Sequence, residues 1–153
     1  MAKEKSLIAY CGLYCEECFG YQGKIADLAR DLRKVLRQCR FDKTAEVLGA
    51  LPFFKEFKDY PQSYAVLGAM VKLRCKKACR GGGGSPVCAI RKCGQKKNID
   101  GCWLCDDFKT CTKLDFLKAN HGDAHLKNLR KLNQKGVNEF LAGKKYWYTP
   151  LKK

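Results

Sequence analysis

Residues 75–111 read CKKACRGGGGSPVCAIRKCGQKKNIDGCWLCDDFKTC, and this stretch contains seven of the chain's eleven cysteines. Its pairs, such as Cys102-x2-Cys105, have the spacing with which a single turn of backbone can bind one metal ion. Three more cysteines stand near the N-terminus as Cys11-x3-Cys15-x2-Cys18. The repeated spacing predicts metal-binding thiolates at ten positions: Cys11, Cys15, Cys18, Cys75, Cys79, Cys88, Cys93, Cys102, Cys105 and Cys111.

Zinc is the metal that this pattern favours, at about two ions per chain, because a closed structural site takes four ligands. We expect one site to be built on the three cysteines of residues 11–18 and the other on the three cysteines of residues 102–111. Each site needs a fourth sulfur from the middle group, and the spacing does not decide which cysteine supplies it. The candidates are Cys75, Cys79, Cys88 and Cys93.

Two other uses of these thiols have to be weighed against zinc. A four-cysteine iron–sulfur cluster is the main alternative, and it would make the chain a redox protein. A redox dithiol at Cys15-x2-Cys18 or Cys102-x2-Cys105 is less favoured. Each of these pairs has further cysteines close by, which is typical of coordination.

The length of 153 residues predicts one cysteine-rich domain over residues 1–153. Within it, residues 75–112 hold few large apolar side chains. Ordering the backbone costs roughly 1–2 kcal/mol per residue, which so little burial does not offset. A structural zinc site contributes about 10–16 kcal/mol. We therefore expect metal to organise residues 75–112.

The rest of the chain predicts helices. Apolar residues recur every three or four positions from Ile25 to Cys39, which indicates a helix whose apolar stripe, Cys39 included, is buried. Shorter helices are expected over residues 43–51, 53–60 and 62–74. The aromatic residues of this region are expected to form their core: Phe53, Phe54, Phe57, Tyr60 and Tyr64.

The C-terminal part also has a helical pattern. Asp123 is the expected N-cap of a helix that Gly136 ends, and a short helix over residues 137–141 follows. The aromatic tail, residues 146–150, is expected to pack back on the body. Strand signals are poor throughout, so the predicted fold class is mainly α, with metal-bound cysteine knuckles and little regular strand.

Charge is distributed unevenly along the chain. The formal net charge is +16, and residues 71–153 carry twenty Lys and Arg against six Asp and Glu. Such a basic half favours an anionic partner, either nucleic acid or an acidic protein surface. The glycine run over residues 81–84 is read as a flexible loop. The residues expected to contact the partner lie around that loop: Lys76, Lys77, Arg80, Arg91, Lys92, Lys96 and Lys97.

One further group of residues has the chemistry of a metal or catalytic site. His121, Asp123 and His125 stand close together in sequence, and an open metal position beside them would make the protein a metalloenzyme. The competing interpretation is a capped turn with one half-buried histidine. A cap at Asp123 puts His121 outside the helix and spoils a shared-metal geometry.

Several features bear on the compartment. The apolar segment 7–15 is followed by Glu16 and Glu17, where a signal peptide needs a small-residue cleavage site. The longest apolar run, residues 64–71, is too short to span a bilayer, so no membrane insertion is expected. An odd number of cysteines disfavours a complete disulfide framework. We therefore expect a cytoplasmic protein with reduced, metal-bound thiols.

The cysteines stand in a series of short motifs: Cys11-Gly12-Leu13-Tyr14-Cys15-x2-Cys18, Cys79-Arg80 with the glycine run, Ile90-Arg91-Lys92-Cys93, Cys102-Trp103-Leu104-Cys105 and Cys111. In this order they resemble the bacterial and archaeal cysteine-rich family catalogued as domain of unknown function 3795. The resemblance covers residues 11–111, and it departs from the expected pattern where Cys75 and Cys79 stand three apart instead of closer together. It implies a small cytoplasmic metal-binding protein and no established activity.

The predicted function is that of a small cytoplasmic zinc-binding protein whose metal sites are structural and whose basic C-terminal half binds an anionic partner. The alternatives are an iron–sulfur redox protein and a metalloenzyme with an open metal site near His121 and His125.

Overall fold

The computed structural model describes residues 2–149, with side chains from Glu4 onward, and it is mainly helical, as predicted. The α-helices of this part are Ala2–Ser6 (α1), Phe19–Gln22 (α2), Lys24–Gln38 (α3), Phe41–Gly49 (α4), Tyr60–Val71 (α5), Ala89–Lys96 (α6), Lys118–His121 (α7) and Ala124–Ala142 (α8). Short 3-10 helices lie at Cys15–Glu17, Pro52–Asp59, Cys79–Gly81, Cys102–Leu104, Asp106–Lys109 and Thr112–Leu117. Strand-like pairing within residues 2–149 is limited to an antiparallel bridge between Ile8 and Tyr14.

The described residues divide into two compact units. Residues 2–21 and 75–149 form the cysteine unit, and residues 22–74 form the helical unit. All ten clustered cysteines lie in the cysteine unit. Its two segments are joined directly, since the Cys75 amide donates to the Gly20 carbonyl at 2.8 Å. The predicted single domain also includes Met1 and residues 150–153, which lie outside the described residues.

The core of the cysteine unit forms where the N-terminal turn packs on α8. Ile8, Leu129 and Phe140 are fully buried, and Tyr14 meets Phe140 edge-on with 6.4 Å between ring centroids. Gly12 has a φ of 81°, and a Cβ there would lie 3.0 Å from the Leu129 side chain. Glycine is therefore required at this point. The close packing fixes the turn that carries the first cysteine motif.

Helix α8 has the break that the sequence predicts. Gly136, with φ 79° and ψ 174°, interrupts it, and the chain then remains helical as far as Ala142. Asp123 precedes the helix as expected, but its carboxylate accepts a hydrogen bond from the Thr149 hydroxyl and does not cap a helix amide. No helix in the described part of the chain combines the length and apolar character needed to cross a membrane.

In the helical unit, α3 has nearly the predicted bounds, but its large apolar residues are not buried. The prediction of a buried stripe is wrong because the covered side of α3 carries the small residues Ala26 and Ala29. Periodicity identifies an apolar face, yet it does not tell whether another element covers that face. The exposed members of the stripe are Ile25, Leu28, Leu32, Val35 and Cys39.

The aromatic residues of this unit form only a partial core. The Phe41 ring lies 5.7 Å from Phe57 and 5.4 Å from Tyr60, measured between ring centroids. Phe53 and Phe54, however, are 71% and 41% exposed, so the prediction that they are core residues is wrong. A unit as small as residues 22–74 has too little volume to cover all of its apolar surface.

The C-terminal tail packs on α8, as predicted. Asn128 is fully buried, and its side-chain NH2 donates to the Tyr146 carbonyl at 2.8 Å. The Tyr146 amide in turn donates to the Asn128 side-chain oxygen at 3.0 Å. These reciprocal bonds anchor the tail over residues 146–149, and Pro150 lies outside the described residues.

Replacing Asn128 with Leu should destabilise the cysteine unit, because the Tyr146 amide and carbonyl lose their partners. An unpaired buried polar group costs about 1–3 kcal/mol, so we expect the free energy of unfolding in urea to fall by roughly 2–4 kcal/mol. The matched control is Asn120→Leu at an exposed position of α7. It should change the free energy by less than about 0.5 kcal/mol. Equal effects of the two substitutions would contradict this role of Asn128.

Candidate metal centre

The ten clustered cysteines form two neighbouring groups within the cysteine unit. The chain's eleven cysteines are free thiols, so neither group contains a disulfide. The C-terminal thiol cluster contains Cys93, Cys102, Cys105 and Cys111. The N-terminal thiol cluster contains Cys11, Cys15, Cys18, Cys75, Cys79 and Cys88.

The four thiols of the C-terminal thiol cluster line one cavity of about 320 Å³. Cys93 comes from α6, and the other three cysteines lie around successive 3-10 turns. The turn Cys102–Leu104 is held in place by Asn133 of α8, whose side chain donates to the Trp103 carbonyl at 2.7 Å. Cys93 and Cys111 are eighteen residues apart in sequence, yet they line the same cavity.

A lysine lies beside this cavity. The Lys97 Nζ donates to the Cys105 Sγ at 3.2 Å and lies 3.8 Å from the Asp107 carboxylate. The hydrogen bond to the Cys105 sulfur, followed by its charge, raises the pKa of Lys97. Burial, followed by the charge of Cys11 and then of the other three thiols of this cavity, raises the pKa of Cys102 to about 12. Cys102 thus lies within electrostatic reach of the N-terminal thiol cluster.

The N-terminal thiol cluster is centred on a contact between Cys15 and Cys79. The Cys79 amide donates to the Cys15 Sγ at 3.3 Å. A hydrogen bond with the Cys79 side chain lowers the pKa of Cys15. The same bond, followed by burial, raises the pKa of Cys79.

Cys11 and Cys88 join Cys79 around a small void. The void has a volume of about 20 Å³ and is lined by these three cysteines together with apolar neighbours and Arg91. A space of this size accommodates a single water-sized sphere. Burial raises the pKa of Cys11 to about 12. Cys11, Cys79 and Cys88 thus line one small void.

The remaining two cysteines of this cluster are attached through the backbone. Cys18 follows Cys15 by one 3-10 turn, with its amide donating to the Cys15 carbonyl at 3.0 Å. The Cys75 Sγ accepts the Gly84 amide at 3.3 Å. A Cβ built on Gly84 would lie 3.4 Å from the Cys79 Sγ, so Gly84 adjoins both sulfurs.

The clusters are groups of neighbours and not complete coordination spheres. Within residues 2–149, no three Cys, His, Asp or Glu side chains converge closely enough on one point to hold a metal ion. Metal binding by these thiols therefore stays a prediction. It requires rotation of cysteine side chains about their Cα–Cβ bonds, a motion between staggered rotamers that backbone geometry allows.

Arg91 is a structural residue of this region and not an exposed cation. It is only 8% exposed, and its guanidinium donates to the carbonyls of Cys79, Gly83 and Ser85 at 2.9, 2.8 and 2.8 Å. The glycine run is therefore a loop, as predicted, but one held from inside by Arg91. Sequence reasoning missed this role because net charge does not reveal which side of a short helix faces inward.

Arg80 is also occupied by the protein itself. Its Nε donates to the Ile8 carbonyl at 2.7 Å, a further guanidinium nitrogen donates to the Asp100 carbonyl, and the group lies over the Tyr10 ring at 4.7 Å. Of the seven cations predicted to contact an anionic partner, Arg80 and Arg91 thus stabilise the fold. The other five are exposed: Lys76, Lys77, Lys92, Lys96 and Lys97.

His121, Asp123 and His125, which the sequence groups as a candidate site, do not share one environment. His121 and Asp123 bind the C-terminal tail, whereas His125 lines a cavity. His121 is buried, with its Nδ1 at 2.8 Å from the Trp147 carbonyl. The Asp123 carboxylate is bound by Thr149 and by Lys127 at 3.2 Å, and the hydrogen bond from the Thr149 hydroxyl lowers the pKa of Asp123. Both residues therefore hold the tail.

His125 has a different environment. It is fully buried, and both ring nitrogens lack a hydrogen-bond partner among the described residues. It lines a cavity of about 260 Å³ together with Thr110, Cys111, Asp115 and Lys118 among others. Burial, with a smaller effect of His121, lowers the pKa of His125. The alternative interpretation, a capped turn, predicted one half-buried histidine. In the structure His125 is completely buried.

Comparison with protein families gives one match. The model described as "Protein of unknown function (DUF3795)" matches residues 7–116. The chain belongs to the DUF3795 family. This confirms the resemblance seen in the cysteine motifs. No curated protein and no solved structure matched the chain.

The DUF3795 region contains both thiol clusters and the seven predicted anion-binding cations. His121, Asp123 and His125 follow its end at residue 116. The family is described as one of unknown function, so membership adds no reaction and no ligand to the site. Chemical function has to be inferred from the thiols and their surroundings.

Proposed function

We propose that this DUF3795 protein is a small cytoplasmic zinc-binding protein in which each thiol cluster holds structural zinc. One observation carries the proposal: four cysteines, and no other cysteine, line the cavity of the C-terminal thiol cluster. Four is the number of ligands that a closed zinc site takes, and thiolate is a preferred ligand type. The free state of the eleven cysteines supports a reducing compartment.

The surroundings of the thiols also support metal binding. A four-thiolate zinc site carries a net charge of about −2, which a nearby cation partly compensates. Lys97 lies beside the C-terminal thiol cluster, and the Arg91 guanidinium adjoins the N-terminal one. The segment that carries both groups of cysteines has little regular structure, so binding energy from metal would become folding energy there.

An iron–sulfur cluster uses the same ligand, and it remains the alternative for either set of thiols. The proposal favours zinc because a closed set of four cysteines is a typical structural zinc site. Both clusters are built on turns that are anchored to the core, which suits a rigid structural ion.

We extend the proposal to the exposed lysines of the cysteine unit. Five solvent-exposed lysines stand in sequence among the cysteines of the two thiol clusters: Lys76, Lys77, Lys92, Lys96 and Lys97. Their charge suits an anionic partner such as nucleic acid or an acidic protein surface. Metal would then have an indirect role, since it would fix the backbone that carries these lysines.

A second function is favoured by the state of His125. A buried imidazole with neither nitrogen paired is costly, at about 1–3 kcal/mol for each unsatisfied group, and such groups often mark a binding site. Because Cys111 lines both this cavity and that of the C-terminal thiol cluster, a metal there could have an open position facing His125. The protein would then be a metalloenzyme.

The structural role of metal predicts the effect of removing thiols. In protein purified without oxygen, the double substitution Cys102→Ser with Cys105→Ser should lower the zinc content by about one ion per chain. It should also increase amide exchange over residues 93–117, because the turns lose their anchor. Cys39→Ser, at an exposed position outside both clusters, should change neither. A brown protein with iron and acid-labile sulfide would contradict the zinc proposal.

The exposed lysines predict a salt-dependent interaction. Changing Lys76, Lys77, Lys92 and Lys96 together to Gln should weaken binding to labelled single-stranded RNA or duplex DNA. It should also lower the slope of log Kd against log salt by about three to four. The control replaces four exposed lysines of the helical unit: Lys24, Lys34, Lys55 and Lys72. Equal slopes for the two variants would contradict the proposed surface. Binding of polyglutamate in place of nucleic acid would indicate an acidic protein partner.

The two proposed functions differ in whether a metal ligand can exchange. In cobalt-substituted protein, a closed four-thiolate site should give visible d–d bands that azide does not change. An open site would change on azide addition, and His125→Asn would alter that response. The matched control is His121→Asn, at the histidine that binds the tail. No response to azide in the parent protein would exclude the metalloenzyme.

A further inference from the structure

Helix α3 presents a narrow apolar stripe, the α3 stripe, to solvent. It consists of Ile25, Leu28, Leu32 and Val35 together with Cys39 at the C-cap, and each of these residues is exposed. They follow one another at alternating intervals of three and four residues. This alternation is the a/d pattern of a coiled-coil seam, which is narrower than the face that a helix buries in a globular core. The spacing therefore indicates a surface that fits one other helix.

Other residues hold α3 in the helical unit. Ala26 and Ala29 are the buried residues of this helix. Its main neighbour is α5, where the Tyr64 ring lies 4.4 Å from the Arg33 guanidinium and the Tyr64 hydroxyl accepts a hydrogen bond from Arg37 at 3.2 Å. The α3 stripe is thus available for contact with another molecule.

The helical unit offers little cover for this stripe. Within residues 22–74, all of which the structure describes, the buried apolar residues besides glycine are Ala26, Ala29 and Ala45. The four large members of the α3 stripe are 42–60% exposed. They present a patch of a few hundred Å², the size at which exposed apolar surface marks a site of interaction. Two such patches together would bury roughly 800 Å² before flanking side chains are counted, which is the area of a weak complex.

The charges beside the stripe favour a like surface as its partner. Arg30 donates to Asp27 and Asp31 at 2.9 Å each, and the next two arginines of α3 contact α5. The residues that precede the a positions of the seam are Lys24, Asp31 and Gln38, so this edge carries no net charge. A membrane surface or an acidic protein would need a basic edge. A second copy of the same seam needs none.

We propose that the chain forms a homodimer in which the α3 stripes of two copies pack against each other. The same patch is then used by both partners, as in other two-fold symmetric dimers. Two heptads are short for a pair of isolated helices, but α3 is already held by α5, so association does not bear the cost of forming the helix. The proposal does not depend on metal binding.

Sedimentation equilibrium of the full chain under reducing conditions tests the proposal. The parent protein should pass from monomer to dimer at micromolar concentrations. Leu32→Glu should raise the dissociation constant by at least about 100-fold. The reason is that Leu32 is the middle residue of the stripe. It lies opposite its own copy whether the helices run parallel in register or antiparallel with full overlap, so two carboxylates would meet in an apolar seam.

The matched control is Val66→Glu on α5, because Val66 is 43% exposed and Leu32 is 48% exposed. It should keep the parent dissociation constant, and both variants should keep the helix content of the parent by circular dichroism. A parent that stays monomeric at about 200 µM overturns the homodimer, and so do equal effects of the two substitutions.

Cross-linking shows whether the stripes themselves are in contact. With oxidised glutathione as a mild oxidant, Leu32→Cys should give a disulfide between two copies at position 32, identified by mass spectrometry of proteolytic peptides. Val66→Cys is the control and should give no link between copies at position 66. A dimer without the link at position 32 would overturn the proposal. A monomeric parent that binds vesicles of anionic lipid would also overturn it and would assign the α3 stripe to a membrane surface.

Discussion

The gathering of ten cysteines into one unit is the constraint on which the cysteine unit depends. The motif at 11–18 and the stretch 75–111 are separated in sequence by the whole helical unit, yet their cysteines lie in two neighbouring groups. Ile90, Trp103 and Phe108 are the buried large apolar side chains between Cys75 and Cys111. Contacts among thiols, backbone amides and two arginines add to their burial.

The two arginines explain how the clusters are connected to the fold. Arg91 holds the glycine loop and the backbone of Cys79 from inside, and Arg80 bonds to the Ile8 carbonyl in the core. Their donors satisfy carbonyls that a chain with little regular structure would otherwise leave unpaired. A buried cation would also lower the cost of holding the anionic metal–thiolate groups that we propose here. The basic composition of this half of the chain thus has a structural use besides any external partner.

The sequence predicted features that depend on local backbone preferences. The helix break at Gly136, the start of α8 after Asp123 and the scarcity of strand all follow from such preferences. Predictions from the sequence were wrong where the burial of a residue depends on which elements pack together. The large apolar residues of the stripe ending at Cys39 have helical periodicity, yet most of them are exposed. Arg91 has the charge of a surface residue but an inward position. Spacing was enough to select the ten cysteines as candidate ligands. The grouping of Cys93 with the cysteines of residues 102–111, in contrast, became visible only in the fold.

The central claim is that these thiols bind zinc through sulfur alone. Zinc K-edge X-ray absorption on protein purified without oxygen and without added metal tests it most directly. The account predicts a first shell of about four sulfur atoms per zinc at roughly 2.3 Å, with no nitrogen or oxygen scatterer. A shell containing nitrogen or oxygen at about 2.0–2.1 Å, or an iron edge in place of zinc, would contradict it.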